Sequence, residues 1–256
     1  MLRRRLPLAL AALAFGVHAE PLGADEVRAR LAAAGSAARL DLSGQDLSGA
    51  DLSGLDLSGA RLAHASLFGA RLVKTRLGGA DLTGANLNGA WLMGTDFRGA
   101  KLAGASLLSV VVLGGEVKAR PDFAGADLSG ARVIADFPGV DLAHAKLAGA
   151  NLGVDIRNQG MGQMRTDLTS AKLAGADLSG ADLNRALLAF ADLRGANLRG
   201  AVLYRAKLAG ADLRDADVAG ADFAEADLDG TDFRGARGVA AAKGLERAAN
   251  RDKAQF

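Results

Sequence analysis

Residues 80–104 read ADLTG ANLNG AWLMG TDFRG AKLAG, and the fold of the chain can be worked out from this stretch. A large apolar residue stands at every fifth position: Leu82, Leu87, Leu92, Phe97 and Leu102. This spacing fits neither regular element. On an α-helix, five residues turn the chain by about 500°, so the leucines would spiral over the whole surface. On a straight strand, an odd spacing sends successive leucines to opposite faces. All of them can share one interior only if the chain turns a corner once per repeat. Four such corners close a square coil.

The period extends well beyond this stretch. Fifteen centres run from Leu42 to Val112 and fourteen from Leu168 to Phe233, and short blocks at Phe123, Leu128, Val133 and at Leu142, Leu147, Leu152 bring the total to 35. Two residues before each centre, Ala fills 12 of 14 places in the last run and Thr166 and Thr231 fill the others, as a crowded inner corner requires. Two residues after it, Gly fills 12 of 15 places in the first run, where the backbone must turn. The flanking residues are Asp, Asn, Arg, Lys, Ser and Thr, which suit outward positions.

On these residues the chain resembles the pentapeptide-repeat family, whose pattern is A-(D/N)-L-x-x. The resemblance spans residues 40–237, with breaks near 118–122, 136–140 and 153–166. It implies an all-β solenoid, a right-handed quadrilateral parallel β-helix of about nine coils. A solenoid needs lids over its end coils. Residues 20–39 are expected to supply a helical cap, with Asp25 starting a helix, Val27 and Leu31 on one face and Gly35 ending it. Residues 238–256, Ala-rich, are expected to form a second helical cap, with Val239 and Leu245 facing the last coil. Family members also suggest a homodimer through the C-terminal segment.

Residues 1–19 read as a secretory signal. Arg3, Arg4 and Arg5 precede an apolar run from Leu6 to Val17, and Val17-His18-Ala19 offers small residues at −3 and −1. That run is too short to span a membrane, which takes about twenty apolar residues. Its removal lowers the basic residues from 31 to 28 against 29 acidic ones, a net charge near −1, so no general nucleic-acid-binding field is expected. With no cysteine, neither disulfides nor a lipoprotein anchor are available. A periplasmic or secreted location follows from this reading.

No catalytic constellation or cofactor motif is legible. Ser and Asp recur because the repeat recurs, and His64 and His144 fall in separate coils. Met161 and Met164, in a segment read as an extruded loop from Arg157 to Arg165, lack a third soft ligand, so no metal site is expected. Two surface features remain. Stacked at twenty residues, Val73, Met93 and Leu113 form an outward apolar column with Trp91 and Val111 beside it. Near the C-terminus, acids including Asp212, Asp217, Asp222 and Asp227 suggest an acidic surface. The leading expectation is an exported, non-catalytic scaffold presenting the apolar column and the Arg157, Met161, Met164 loop to an unidentified protein. The alternative is a DNA-mimic inhibitor of a type II topoisomerase, as the quinolone-resistance members of the family suggest. Export separates the two. Intact-mass analysis of protein from its native host is expected to give an N-terminus at Glu20, and retention of Met1 to Ala19 in a cytosolic fraction would overturn that expectation.

Overall fold

A computed structural model describes residues 20–112, 119–154 and 165–256. Its backbone is a four-sided coil in which each side contributes one bridged residue. Asp41, Asp46, Asp51 and Asp56 open the four sides, and Arg61 returns to pair in parallel with Asp41. One ladder runs Asp41, Arg61, Asp81, Lys101, Asp127, Lys146, Asp177, Asn197, Asp217, Arg237, which is ten rungs among the described residues.

Each pentad closes its own hydrogen bonds and those of its neighbours. The centre N–H donates to the rung carbonyl of the next coil, as Leu42 does to Arg61 at 2.7 Å, and the rung N–H donates back, as Arg61 does to Leu40 at 3.0 Å. A β-turn follows each centre. Gln45 N–H reaches Leu42 O at 3.1 Å, and the third residue of the turn, Gly44, is left-handed at φ 65°. The acid before the centre caps that turn, because Ser43 N–H donates to Asp41 Oδ1 at 3.0 Å. The preference for Asp or Asn is thus an Asx-turn requirement as well as a matter of solubility.

The interior is a column of leucines and corner alanines. Where threonine replaces alanine at Thr75, Thr95, Thr166 and Thr231, the residue stays buried and its hydroxyl donates to a carbonyl of the coil before, as Thr75 does to Leu52 at 2.9 Å. A void of about 10 Å³, lined by residues including Phe123, Val133, Phe137 and Leu142, is at most marginal for one water.

Three departures from the twenty-residue coil explain the register breaks. Asp96 pairs with Asp122, a step that takes in the segment 113–118. Asp122 pairs with Asp141, one residue short of a full coil. Asp141 pairs with Lys172, a step that takes in the segment 155–164. In the short coil, β2 (Arg132–Ile134) pairs in parallel with β1 (Ser106–Leu108) and no turn follows Val133. Phe137, four residues on, becomes the next inward centre. It lies beside Phe123, itself stacked on Phe97 with centroids 4.6 Å apart. A strict five-residue count misses Phe137.

The ends differ in kind. Helix α1 (Ala24–Ala34) buries Val27 completely and ends at Gly35, left-handed at φ 71°. Gly23, not Asp25, holds the capping position, and Asp25 instead pairs with Arg28 at 3.0 Å. The expected C-terminal helix is a correction: residues 238–255 form a further coil with six-residue sides. Arg237, Lys243, Ala249 and Gln255 pair with Asp217, Asp222, Asp227 and Asp232. Each side carries a short 3-10 turn, at Val239–Ala241, Leu245–Arg247 and Arg251–Lys253, entered through left-handed Gly238, Gly244 and Asn250. Left-handed residues at that interval stop an α-helix. The tail also supplies partners that an α-helix would withhold, because Lys243 N–H donates to Ala221 O at 2.7 Å and Ala249 N–H to Ala226 O at 2.8 Å. Phe256 stacks on Phe233 at 5.1 Å.

Corner packing sets a direct comparison. Ala196 is 0% exposed, whereas Arg199 is exposed and only 3.4 Å from Asp217 in a surface pair. Thermal melts are expected to show Ala196→Leu losing ~1–3 kcal/mol from overpacking, while Arg199→Leu changes stability by less than about 1 kcal/mol, as exposed pairs do. The reverse order would overturn the assignment of inside and outside.

Candidate functional site

The face that carries the apolar column descends through Asp51, Arg71, Trp91 and Val111, one residue per coil. Stacking converts sequence spacing into contact. The Arg71 guanidinium lies 4.8 Å from the centroid of the Trp91 ring, and its Nε is 3.8 Å from the Asp51 carboxylate. A cation held between a carboxylate and an indole fixes the ring, so Trp91 presents a restrained surface. Trp91 is 37% exposed, and Val111 and Val73 are half-buried.

The remainder of the column is corrected. Met93 is only 4% exposed. Its carbonyl accepts from Lys74 N–H at 2.8 Å, the bond that a regular stack predicts. One residue on, Gly94 N–H donates at 2.7 Å to Ala119. A regular coil would place Leu113 at that rung. The segment re-entering at Ala119 takes the position instead and brings its backbone to within one residue of Met93. Leu113 itself lies outside the described residues, as do Arg157, Met161 and Met164. Phe68, three residues before Arg71, is 56% exposed. It sits one after centre Leu67. Phe190 sits two after centre Leu188, in a left-handed turn position at φ 58°, and its ring covers Gly210, where an added Cβ would meet the ring at 2.7 Å.

The acidic surface is corrected as well. Asp212, Asp217, Asp222 and Asp227 are neighbours in sequence but open four different ladders, so the coil deals them to four sides. Each has a partner. Asp212 is gripped at 2.6 Å by Arg214, whose hydrogen bonds hold its carboxyl below the usual range. Asp217 accepts from Ala219 N–H and lies 3.4 Å from Arg199, and the turn bond is the larger cause of its lowered pKa. Asp222 accepts from Ala224 N–H at 2.9 Å. Asp227 accepts from Asn250 at 2.8 Å, which lowers its pKa, and faces Lys207. His64 and His144 stand at separate turns with φ 58° and 57°. Among the described residues no three His, Cys, Asp or Glu side chains gather as a metal site would need, and no helix is long and apolar enough to cross a membrane.

A family model for pentapeptide repeats matches eight copies over residues 36–62, 60–99, 164–200 and 201–237. The chain belongs to the pentapeptide-repeat family, whose members fold as right-handed quadrilateral β-helices. It is similar to the crystal structure of HetL, a pentapeptide-repeat protein involved in heterocyst differentiation regulation from the cyanobacterium Nostoc sp. strain PCC 7120, at 31% identity over 84% of this chain and 86% of that one, with TM-score 0.47. QnrB1, a plasmid-mediated fluoroquinolone resistance protein, is 19% identical over 77% of this chain and 91% of its own, with TM-score 0.42. Rfr23 from the cyanobacterium Cyanothece 51142 is 27% identical over 47% of this chain and 86% of its own, with TM-score 0.25. No curated protein sequence matches.

One acid departs from the common pattern. Asp136 precedes centre Phe137, so the next residue should donate the turn bond, but that residue is Pro138 and has no N–H. Partial loss of hydration raises the Asp136 pKa, and Asp167 on the adjoining rung raises it further. Asp56 shows the opposite case: its Ser58 hydroxyl bond, with help from Arg76, depresses it to about 2. A carboxyl raised in the fold weakens the fold while charged. Asp136→Asn is therefore expected to raise Tm at pH 7, and the gain should fade as pH drops through the raised folded pKa toward the unfolded value of about 3.9. A gain that grew on acidification, or a Tm loss at pH 7, would contradict this.

Proposed function

We infer that this chain is an exported, non-catalytic scaffold that binds a protein partner through the face built on Arg71, Trp91 and Val111. The single observation that carries the reading is the half-open indole of Trp91, pinned by Arg71 on a backbone hydrogen-bonded to the coils on both sides. Trp and Arg are enriched where binding energy concentrates, and a ring held before contact loses little entropy on binding. Phe68, three residues before Arg71 in the chain, is a second exposed aromatic. A rod of about nine repeat coils, closed by α1 at one end and by the tail coil at the other, suits rigid display. Export rests on the sequence of residues 1–19, and a periplasmic or secreted location follows from it. The lack of any catalytic pattern in the sequence supports a binding role.

The topoisomerase-inhibitor alternative needs a continuous acidic surface. Dispersal of the C-terminal acids over four sides, each with a donor, weighs against it. Trp91→Asp with Phe68→Lys is expected to keep the circular-dichroism spectrum of the parent and a stability within about 1 kcal/mol of it, as exposed substitutions do. It is also expected to abolish capture of the partner that the parent retains from its own extracytoplasmic fraction. A well-folded double variant that captured the same partner equally would overturn the proposed face.

A further inference from the structure

Several neighbouring rungs of the coil pair unlike charges. Arg61 meets Asp41 at 3.2 Å, Arg76 meets Asp56 at 3.0 Å and Lys172 meets Asp141 at 3.0 Å. Like charges in register on neighbouring rungs are unfavourable. At the corner that follows residues 155–164 in the chain, arginines nevertheless stand in register. Arg165, Arg185 and Arg205 each stand immediately before an inward corner residue, Thr166, Ala186 and Ala206, and are separated by one full coil. Three guanidinium-bearing positions therefore follow one another at the rung spacing of about 4.8 Å.

Arg185 and Arg205 also occupy left-handed turn positions, at φ 59° and 57°. Most turns of this chain place Gly there, because a Cβ in that conformation is strained by about 1 kcal/mol. At this corner the turns carry charge instead of Gly. The three arginines, with Lys207 and Glu225, line an open cleft of about 400 Å³, within the usual size of small-ligand sites. Glu225 closes its lower end and takes Arg205 at 2.6 Å, with the Tyr204 hydroxyl donating to the same carboxylate at 3.0 Å. The Tyr204 ring lies against the Arg205 guanidinium at 5.0 Å. Lys207 is 3.4 Å from Asp227, a long surface pair. Glu225 is in effect an internal carboxylate ligand at the foot of a column of cations.

We propose that this cleft is a binding site for a small ligand bearing a tetrahedral oxyanion, a phosphate or phosphate monoester, gripped by Arg165, Arg185 and Arg205. Planar guanidinium forks on successive rungs can each offer paired donors to a phosphoryl group, and Lys207 adds a point charge at the rim. The site is independent of the Trp91 face and requires no protein partner.

Because Gly is the ordinary occupant of the turn position, Arg185→Gly with Arg205→Gly removes two cations without straining the backbone. The probes are inorganic phosphate and phenyl phosphate, titrated into the purified chain at low salt and followed by ³¹P line broadening and by Tm. The parent is expected to bind saturably in the millimolar range or better, and the double glycine variant to bind at least about tenfold more weakly while keeping its fold. Glu225→Gln, which removes the internal carboxylate, is expected to tighten binding several-fold, an effect that a purely structural role for Glu225 would not produce. Equal affinity for the two probes would assign the site to the free ion, and a clear preference for phenyl phosphate would assign it to an esterified ligand. Absence of saturable binding by either probe up to about 10 mM, or unchanged affinity in the double glycine variant, would overturn the proposal.

Discussion

The rest of the structure depends on the bond between each coil's backbone and the next. Five residues supply one turn bond, two donors to the coil that follows and one to the coil before, as Gln45, Leu42 with Gly44, and Arg61 illustrate. These bonds fix which residues lie above one another, and so they fix both the leucine column and the outward charge columns. The corner alanine follows from the same constraint. Coils at hydrogen-bonding distance favour a methyl at the corner, or a threonine whose hydroxyl can find a carbonyl, as Thr75 finds Leu52 and Thr231 finds Leu208, although Val110 and Val140 are also taken in.

A stack of this kind couples surface residues that the sequence keeps twenty positions apart. Among the described residues the acid before a centre, Asp136 excepted, accepts a turn N–H and in many coils also meets a cation from a neighbouring rung, so most carboxylates are already committed to the fold. Arg194 and Arg214 extend this pattern, each gripping the acid two residues earlier and approaching that of the next coil at 3.8 and 3.7 Å. A run of arginines in register at Arg165, Arg185 and Arg205 and an aromatic restrained by Arg71 stand out as departures from the common pattern, and such departures concentrate at functional positions.

The irregular coils show where the constraint can be relaxed. A side can take six residues, as in the tail, if left-handed Gly238, Gly244 and Asn250 absorb the extra length in 3-10 turns. A side can lose its turn, as between Val133 and Phe137, if a short parallel strand pair holds the register. Length added between Asp96 and Asp122 leaves the flanking rungs paired, and its effect is local: Ala119 takes the bond that a regular repeat would give to Leu113, and Met93 is buried beside it.

The sequence by itself determined the coil, its inward leucines and corner alanines, and the start of each register break, because a five-residue period admits one geometry and every repeat states it again. It also marked Trp91 as outward. Tertiary structure alone decided the matters that depend on stacking order and on competition for rung positions. These include the burial of Met93 and the coiling of the tail where helical composition pointed to a cap. Periodicity fixes each residue's direction within its own coil. Which residue lies above it is set by the backbone hydrogen bonds between coils, and wherever the coil length departs from twenty, counting along the chain no longer reports those bonds.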